Sequence, residues 1–189
     1  YLVLGSLSPL LQQKIISLFK KRPLLIAMDT QNYWISHMPD ELKKTLSMVD
    51  LLTINDEEAR HLAGEFSLQK AARKIMRMGP AFLIINKGKH GHLLFYKKKV
   101  FFAPALPLEE IFDPTGAGDT FAGGFAGYLA KTGDISFDNM KRAIIFGSAM
   151  ASFCVEKFGT ERIQRLSQDE IMQRVQEFVD LVQFDYILD

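Results

Sequence analysis

Short apolar runs of strand length alternate with helical patterns through the first half of the chain. Between the apolar runs at 2–5 and 24–28, for example, Leu, Ile and Phe recur at helical spacing over residues 9–20. A strand can return parallel to its neighbour only through a long crossover, which is usually a helix. The alternation therefore favours an α/β fold built around a largely parallel sheet.

The remaining elements follow from the same criteria of period and length. The sequence predicts strands at 2–5, 24–28, 49–54, 81–86, 91–96 and 100–103. The last two are expected to form a hairpin around a solvated turn of Lys97, Lys98 and Lys99. Helices are predicted at 9–20, 39–48, 56–63, 67–78, 117–131, 137–155 and 168–184. No linker, repeat or low-complexity tract divides the chain, so a single domain spanning 1–189 is expected.

Composition and charge exclude several classes of protein. The 189 residues are 48% hydrophobic and 24% charged, as is usual for a globular protein. The net charge of +1 offers no field of one sign for nucleic acid or an anionic membrane surface. No apolar run is long enough to span a bilayer. The single cysteine, Cys154, forms no internal disulfide and suits a reducing compartment, so a cytoplasmic protein is expected.

A glycine-rich segment, Asp-Pro-Thr-Gly-Ala-Gly-Asp at 113–119, leads into a helical pattern. Without a Cβ, Gly116 and Gly118 let the backbone approach a ligand closely. The first amides of a helix lack an intrahelical acceptor and the dipole favours negative charge there, so the segment suits phosphoryl oxygens. Asp119 beside such a cradle can take a proton from an attacking hydroxyl. The structural alternative is a plain turn followed by a first-turn helix acid, and the segment matches neither a P-loop nor a dinucleotide fingerprint.

Three short motifs resemble those of the ribokinase-like (PfkB) carbohydrate kinases. Residues 113–119 are similar to the family signature D-T-x-G-A-G-D, with Pro114 in place of the usual Thr. Residues 55–58 resemble its N-x-x-E motif, and residues 86–91 resemble its T-x-G-x-x-G nucleotide loop, with Asn86 where Thr is common. The resemblance implies a ribokinase-like three-layer α/β sandwich, mostly parallel in its central sheet, with helices on both faces. The N-terminal part and the lid of that fold are expected to be missing.

The same resemblance implies a role for the matching residues in transfer of the γ-phosphoryl group of ATP. Asp119 is implied as the catalytic base. The anion hole is implied to be three consecutive amides, those of Gly116, Ala117 and Gly118. Asn55 and Glu58 are implied to position Mg²⁺ through its water shell. For this pair the residues leave an alternative open, a helix capping box in which Asn55 is the N-cap.

Two further segments are implied to bind ATP. Lys87, Gly88 and Gly91 match the loop that lines the phosphates or the ribose, and their structural alternative is a tight turn between two strands. Ser148 lies on a helix that flanks adenine in the family. The small residues around it alternatively permit close packing of two helices.

Other features of the resemblance are looser. Some family members bind a monovalent cation, and Asp113, Thr115 and Gly159 match its positions, while Ile163 stands where a hydroxyl is expected. Residues 29–34 resemble a D-x-N-x-R segment in which Trp34 replaces the basic residue, which indicates a different substrate pocket or an aromatic packed beneath one. The four histidines show no metal spacing. A monomer and a homodimer both remain open.

Together with the resemblance, the sequence predicts an enzyme, a sugar kinase that transfers a phosphoryl group from ATP to a hydroxyl of a sugar or sugar-like molecule. A nucleoside kinase with the same machinery is one alternative. A non-catalytic nucleotide-binding module is the other. The expected partner is a small molecule, with neither nucleic acid nor a membrane.

Overall fold

The computed structural model describes residues 1–183 of the protein. The strands are β1 (Leu2–Leu4), β2 (Ile26–Asp29), β3 (Leu51–Asn55), β4 (Phe82–Asn86), β5 (His92–Tyr96) and β6 (Lys99–Ala103). The helices are α1 (Pro9–Ser17), α2 (Asn32–His37), α3 (Pro39–Leu46), α4 (Asp56–Ala63), α5 (Leu68–Met76), α6 (Ala117–Thr132), α7 (Phe137–Cys154) and α8 (Gln168–Val182). Short 3₁₀ helices occur at Gly88–His90 and Ile163–Arg165.

The six strands form one sheet in the order of the sequence, from β1 to β6. The first four are parallel, and β5 runs antiparallel to β4. The register pairs Asn55 with Asn86, so β3 and β4 end side by side. Lys97, with φ of 53°, lies in the turn that joins β5 to β6. The predicted parallel sheet with an added antiparallel hairpin is therefore confirmed.

The chain divides into two compact units, Tyr1–Phe102 and a second that begins at Ala103. In the first unit, alternate strand residues such as Leu52 and Ile54 share a core with helix residues such as Leu42 and Ile75. These four side chains are at most 1% exposed. Because burying a Leu or Ile side chain contributes about 1.5–3 kcal/mol, this core holds the helices on the sheet and fixes the ends of its strands.

In the second unit, α6 and α7 approach each other closely at two glycines. A Cβ on Gly147 would lie 2.8 Å from the carbonyl oxygen of Phe121. One on Gly124 would lie 2.9 Å from Cγ of Met150. The small residues of α7 thus do permit close helix packing, which is the structural alternative raised for this segment.

Helix α2 was not predicted from the sequence, and neither were the two 3₁₀ helices. Residues 32–37 are too few to show a helical period, and their N-cap, Gln31, makes no side-chain capping hydrogen bond. The other predicted elements are present with ends that differ by a few residues. The predicted end of the last helix at Phe184 falls outside the described residues. Among residues 1–183, no helix has the length and apolar character needed to cross a membrane.

Candidate functional site

Helix α6 begins at a glycine in the left-handed conformation. Gly116, the N-cap, has φ of 80° and ψ of 0°, a conformation that other residues rarely adopt. No side chain caps this end of the helix. The turn geometry therefore explains the glycine at 116, but it leaves the first amides of α6 without the usual capping side chain.

The first amides of α6 differ in what they contact. The N–H of Ala117 donates to the carbonyl oxygen of Pro114 at 3.2 Å, and that of Thr120 to the carbonyl oxygen of Gly116 at 2.9 Å. Within residues 1–183, the N–H groups of Gly118 and Asp119 have no acceptor. Gly118 and the side chain of Asp119 are both exposed. The start of α6 thus presents two free donors and one carboxylate to solvent, at the positive end of the helix dipole.

Gly118 is not explained by the local fold. It has no positive φ, and a Cβ built on it meets no atom within 4 Å. A glycine inside a helix is less stable than alanine by about 0.5–1 kcal/mol. Because Gly118 faces solvent, close approach by a ligand explains the glycine better than a packing requirement does.

Cys154 packs against this loop from the C-terminal end of α7. Its buried Sγ lies 3.7 Å from the carbonyl oxygen of Thr115 and 4.0 Å from that of Gly159. Oδ1 of Asp113 accepts the N–H of Thr115 at 2.9 Å, and this hydrogen bond lowers the pKa of Asp113. Two of the three residues matched to a monovalent-cation site, Thr115 and Gly159, therefore contact the same side chain, and Asp113 is hydrogen-bonded to Thr115.

At the carboxyl edge of the sheet, Asn55 and Glu58 form a complete capping box at the start of α4. Oδ1 of Asn55 accepts the N–H of Glu58 at 2.8 Å, and Oε2 of Glu58 accepts the N–H of Asn55 at 3.2 Å. The capping alternative is thus confirmed. The other carboxylate oxygen, Oε1, accepts the N–H of Asn32 at 3.2 Å, which ties the start of α2 to that of α4.

Burial distinguishes the carboxylate of Glu58 from other acids of this unit. The residue is 7% exposed, and its burial raises the pKa of the carboxyl group although hydrogen bonds from Asn55 and Asn32 lower it. Each oxygen accepts one N–H and so keeps a lone pair. No group of three His, Cys, Asp or Glu side chains in the described chain could hold a metal directly. One carboxylate with free lone pairs fits a cation that keeps its water shell, as Mg²⁺ does.

The loop between β4 and β5 is a tight turn, which is the structural alternative given for Lys87, Gly88 and Gly91 in the sequence analysis. The N–H of Lys87 donates to the carbonyl oxygen of Gly91 at 2.9 Å, which closes the loop on itself. Gly88 and Gly91 have positive φ values of 53° and 91°, so both positions favour glycine. Gly88 is exposed and Lys87 half-buried. A nucleotide-binding role for these residues remains a prediction.

Ser148 has an unsatisfied hydroxyl. The residue is 6% exposed, and its Oγ has no hydrogen-bond partner among residues 1–183. Buried hydroxyls normally have a partner, since leaving one unpaired costs about 1–3 kcal/mol. Because Oγ is sealed from solvent, a ligand can reach it only after neighbouring side chains shift.

Sequence reasoning missed the part played by Asn32. Its Oδ1 lies 3.1 Å from Nδ1 of His61, in addition to the contact of its N–H with Glu58. Trp34, two residues later, is partly buried, and its Nε1 donates to the carbonyl oxygen of Ser6 at 3.4 Å. The only sequence signal for this contact was the loose resemblance of residues 29–34 to a D-x-N-x-R segment, and that resemblance did not indicate a helix.

Comparison with known proteins gives close relatives among kinases. A cytidine kinase of Thermococcus kodakarensis is 41% identical over 92 residues, which are 47% of this chain and 33% of that protein. A ribokinase of Staphylococcus aureus is 34% identical over 129 residues, which are 66% of this chain and 40% of that protein. The crystal structure of a ribokinase from Thermotoga maritima superposes with a TM-score of 0.70 at 26% identity, over 92% of this chain and 56% of that one.

These relatives confirm the predicted ribokinase-like α/β fold. The chain spans between a third and a little over half of their lengths. The family comparison covers most of this chain, since residues 7–165 match the description "pfkB family carbohydrate kinase". The chain therefore belongs to the pfkB family of carbohydrate kinases.

Proposed function

We propose that the protein transfers the γ-phosphoryl group of ATP to a hydroxyl of a sugar or nucleoside. Family membership supports a kinase. The observation that carries the proposal is the start of α6, where the exposed carboxylate of Asp119 follows two amides, its own and that of Gly118, that have no acceptor among the described residues. A carboxylate does not itself bind anions. Placed beside amides that can hold a phosphoryl group, it is suitably positioned to act as a general base.

In the proposed reaction the acceptor oxygen forms a bond to the γ-phosphorus while the bond to the bridging oxygen breaks and ADP leaves. The carboxylate of Asp119 takes the proton of the acceptor hydroxyl. The amides of Gly116 and Gly118 donate to the phosphoryl oxygens together with that of Asp119, and the amide of Ala117 joins them once it leaves Pro114. Loss of one donor of this kind typically lowers a rate by about 10²–10³-fold.

Other residues are proposed to bind ATP and its metal. Glu58 holds Mg²⁺ through water, with Asn55 fixing the carboxylate, and the free lone pairs of that carboxylate support this role. Mg²⁺, when bound, neutralises charge on the triphosphate. Lys87, Gly88 and Gly91 contact the phosphates or ribose of ATP. Ser148 contacts the adenine of ATP, and its unsatisfied hydroxyl supports this role.

The test is the variant Asp119→Asn, with ADP formation measured on ribose and on cytidine, and ATP binding measured by calorimetry. We expect kcat to fall by about 10²–10⁴-fold, because the amide accepts no proton, and ATP affinity to change by less than about threefold. The matched control is Asp169→Asn, which removes an exposed first-turn acid from α8. It should retain full turnover.

Unchanged turnover in Asp119→Asn rejects the base. If the unaltered protein binds ATP but phosphorylates no acceptor in a panel of sugars and nucleosides, the non-catalytic nucleotide-binding module replaces the kinase.

A nucleoside acceptor is favoured over a free sugar by one observation. The relative with 41% identity is a cytidine kinase, whereas the ribokinase of Staphylococcus aureus is 34% identical. The measurement is the ratio of kcat/KM for cytidine to that for ribose. A ratio above one assigns the nucleoside, and a ratio below one assigns the sugar.

A further inference from the structure

A groove of about 490 Å³ lies between α5 and the hairpin of β5 and β6. Its volume falls within the range of about 300–1,000 Å³ that is common for small-molecule sites. Six of its lining residues carry the inference, three cationic and three apolar: Arg73, Lys97, Lys98, Met76, Phe95 and Val100. The sequence alone had indicated only a solvated lysine turn.

The cations of the groove are not neutralised. Among residues 1–183, Arg73, Lys97 and Lys98 form no ion pair and donate no side-chain hydrogen bond. By contrast, Lys74 of the same helix pairs with Glu65 at 2.6 Å. All three groove cations are exposed. Helix α5 and the turn thus produce a local positive field in a chain whose net charge is only +1.

Apolar side chains line the groove beside these cations. Phe95 belongs to the core of the unit, and Met76 packs against that core. Val100, on the edge strand β6, is 49% exposed. A ligand that filled the groove would therefore meet both cations and hydrocarbon.

We propose that this groove binds a soluble organic phosphate, with the phosphate at Arg73, Lys97 and Lys98 and the apolar part against Met76 and Val100. The planar fork of arginine suits phosphate oxygens, and a dianion balances three cations better than a monocarboxylate does. The register pairs Tyr96 with Phe82 at the first residue of β4. The lysine turn therefore lies at the opposite end of the strands from Asn55 and Asn86. It is separate from the residues of this unit that are proposed to bind ATP.

The experiment is a titration of the ¹⁵N-labelled protein with 2-naphthyl phosphate, followed through backbone amide shifts. We expect saturable shifts at residues 69–76 and 95–100. The variant Arg73→Gln/Lys98→Gln should raise the Kd at least about tenfold, since each removed charge-assisted contact is among the stronger polar contacts. The control Lys43→Gln/Lys44→Gln removes the same charge from exposed positions of α3 and should leave the Kd within about twofold.

Three results overturn the proposal. Shifts that avoid residues 69–76 and 95–100 place the probe elsewhere. An equal loss in the α3 control shows that binding follows net charge alone. Equal affinity for inorganic phosphate or for 2-naphthol shows that one half of the groove contributes nothing. Because these outcomes are read from amide shifts and not from turnover, they are independent of the proposed kinase activity.

Discussion

Helices α4 and α6 begin in opposite ways, although each follows a motif of the family. At α4, the side chains of Asn55 and Glu58 satisfy each other's backbone amides. At α6, Gly116 provides no side chain, and the amides of Gly118 and Asp119 have no acceptor in the described chain. The first helix end is satisfied by its own residues and contributes to stability. The second leaves its donors free, as a binding site for an anion requires.

The carboxylates at these two helix ends show the same contrast, one bound within the protein and the other open to solvent. Glu58 is buried and accepts hydrogen bonds from two segments of the chain, whereas Asp119 is exposed. Changes at α4 should therefore act first on the free energy of unfolding. Changes at α6 should act first on catalysis.

After Asp119→Asn, the largest expected effect on phosphoryl transfer comes from Gly116→Val. A β-branched residue at φ of 80° is strained by about 1–2 kcal/mol, so the turn that positions the first amides of α6 should distort, and we expect turnover to fall by at least about 100-fold. The control is Gly133→Val at the other end of α6, where φ is 66° and a Cβ meets no atom within 4 Å. It should lose similar stability, measured by urea unfolding, and keep its turnover. Equal turnover in the two variants would contradict the assignment of the open helix end.

At the capped end, Glu58→Ala should lower the free energy of unfolding by about 2–3 kcal/mol. The change removes the buried carboxylate that accepts the N–H groups of Asn32 and Asn55. Glu170→Ala removes the corresponding residue from the capping box of α8, together with its ion pair to Arg162 at 2.7 Å, and should cost less than Glu58→Ala because Glu170 is more exposed. Urea unfolding of both variants makes the measurement. Equal losses would show that the burial of Glu58 and its contact with Asn32 add no more than the ion pair of Glu170 with Arg162.

Acid should weaken the protein through the unit that contains α4, since all four histidines precede residue 103. Burial lowers the pKa of His92 to about 4. Between the unfolded value of about 6.5 and this folded value, the unfolded chain binds more protons, so stability falls as the pH falls. We expect a loss of about 2 kcal/mol from pH 7 to pH 5.

The measurement is urea unfolding at both pH values. His92→Gln should remove most of this dependence, and His90→Gln, at an exposed position, should retain it. A dependence unchanged by His92→Gln would assign the titration to another group.

The smallest expected effects come from two glycines within α6. Gly118→Ala and Gly127→Ala should each raise the free energy of unfolding by about 0.5–1 kcal/mol, because neither Cβ meets an atom within 4 Å. Thermal unfolding measures this gain. Only Gly118→Ala should also lower turnover, by severalfold, since its methyl group lies beside the free amides. If both variants keep full turnover, Gly118 has no role in ligand approach.

Much of the candidate site was readable from local sequence. The capping box joins residues three apart, and the left-handed turn at Gly116 depends on a single residue type, so both follow from spacing and backbone chemistry. The partner of Ala117 was not readable, because its hydrogen bond to Pro114 depends on how the loop turns. The same holds for Ser148, whose burial without a partner is set by the side chains around it.

The sequence by itself determined the order of strands and helices, the parallel sheet and the contrast between the two helix ends, because period, helix caps and glycine act over a few residues. Tertiary structure decided which distant groups meet. Helix α2 starts where Asn32 reaches Glu58, 26 residues away, and the basic groove exists because α5 packs beside the turn at Lys97. Such contacts join residues that are far apart in the sequence and meet only when the elements pack on a shared core, so a local pattern does not identify the partners.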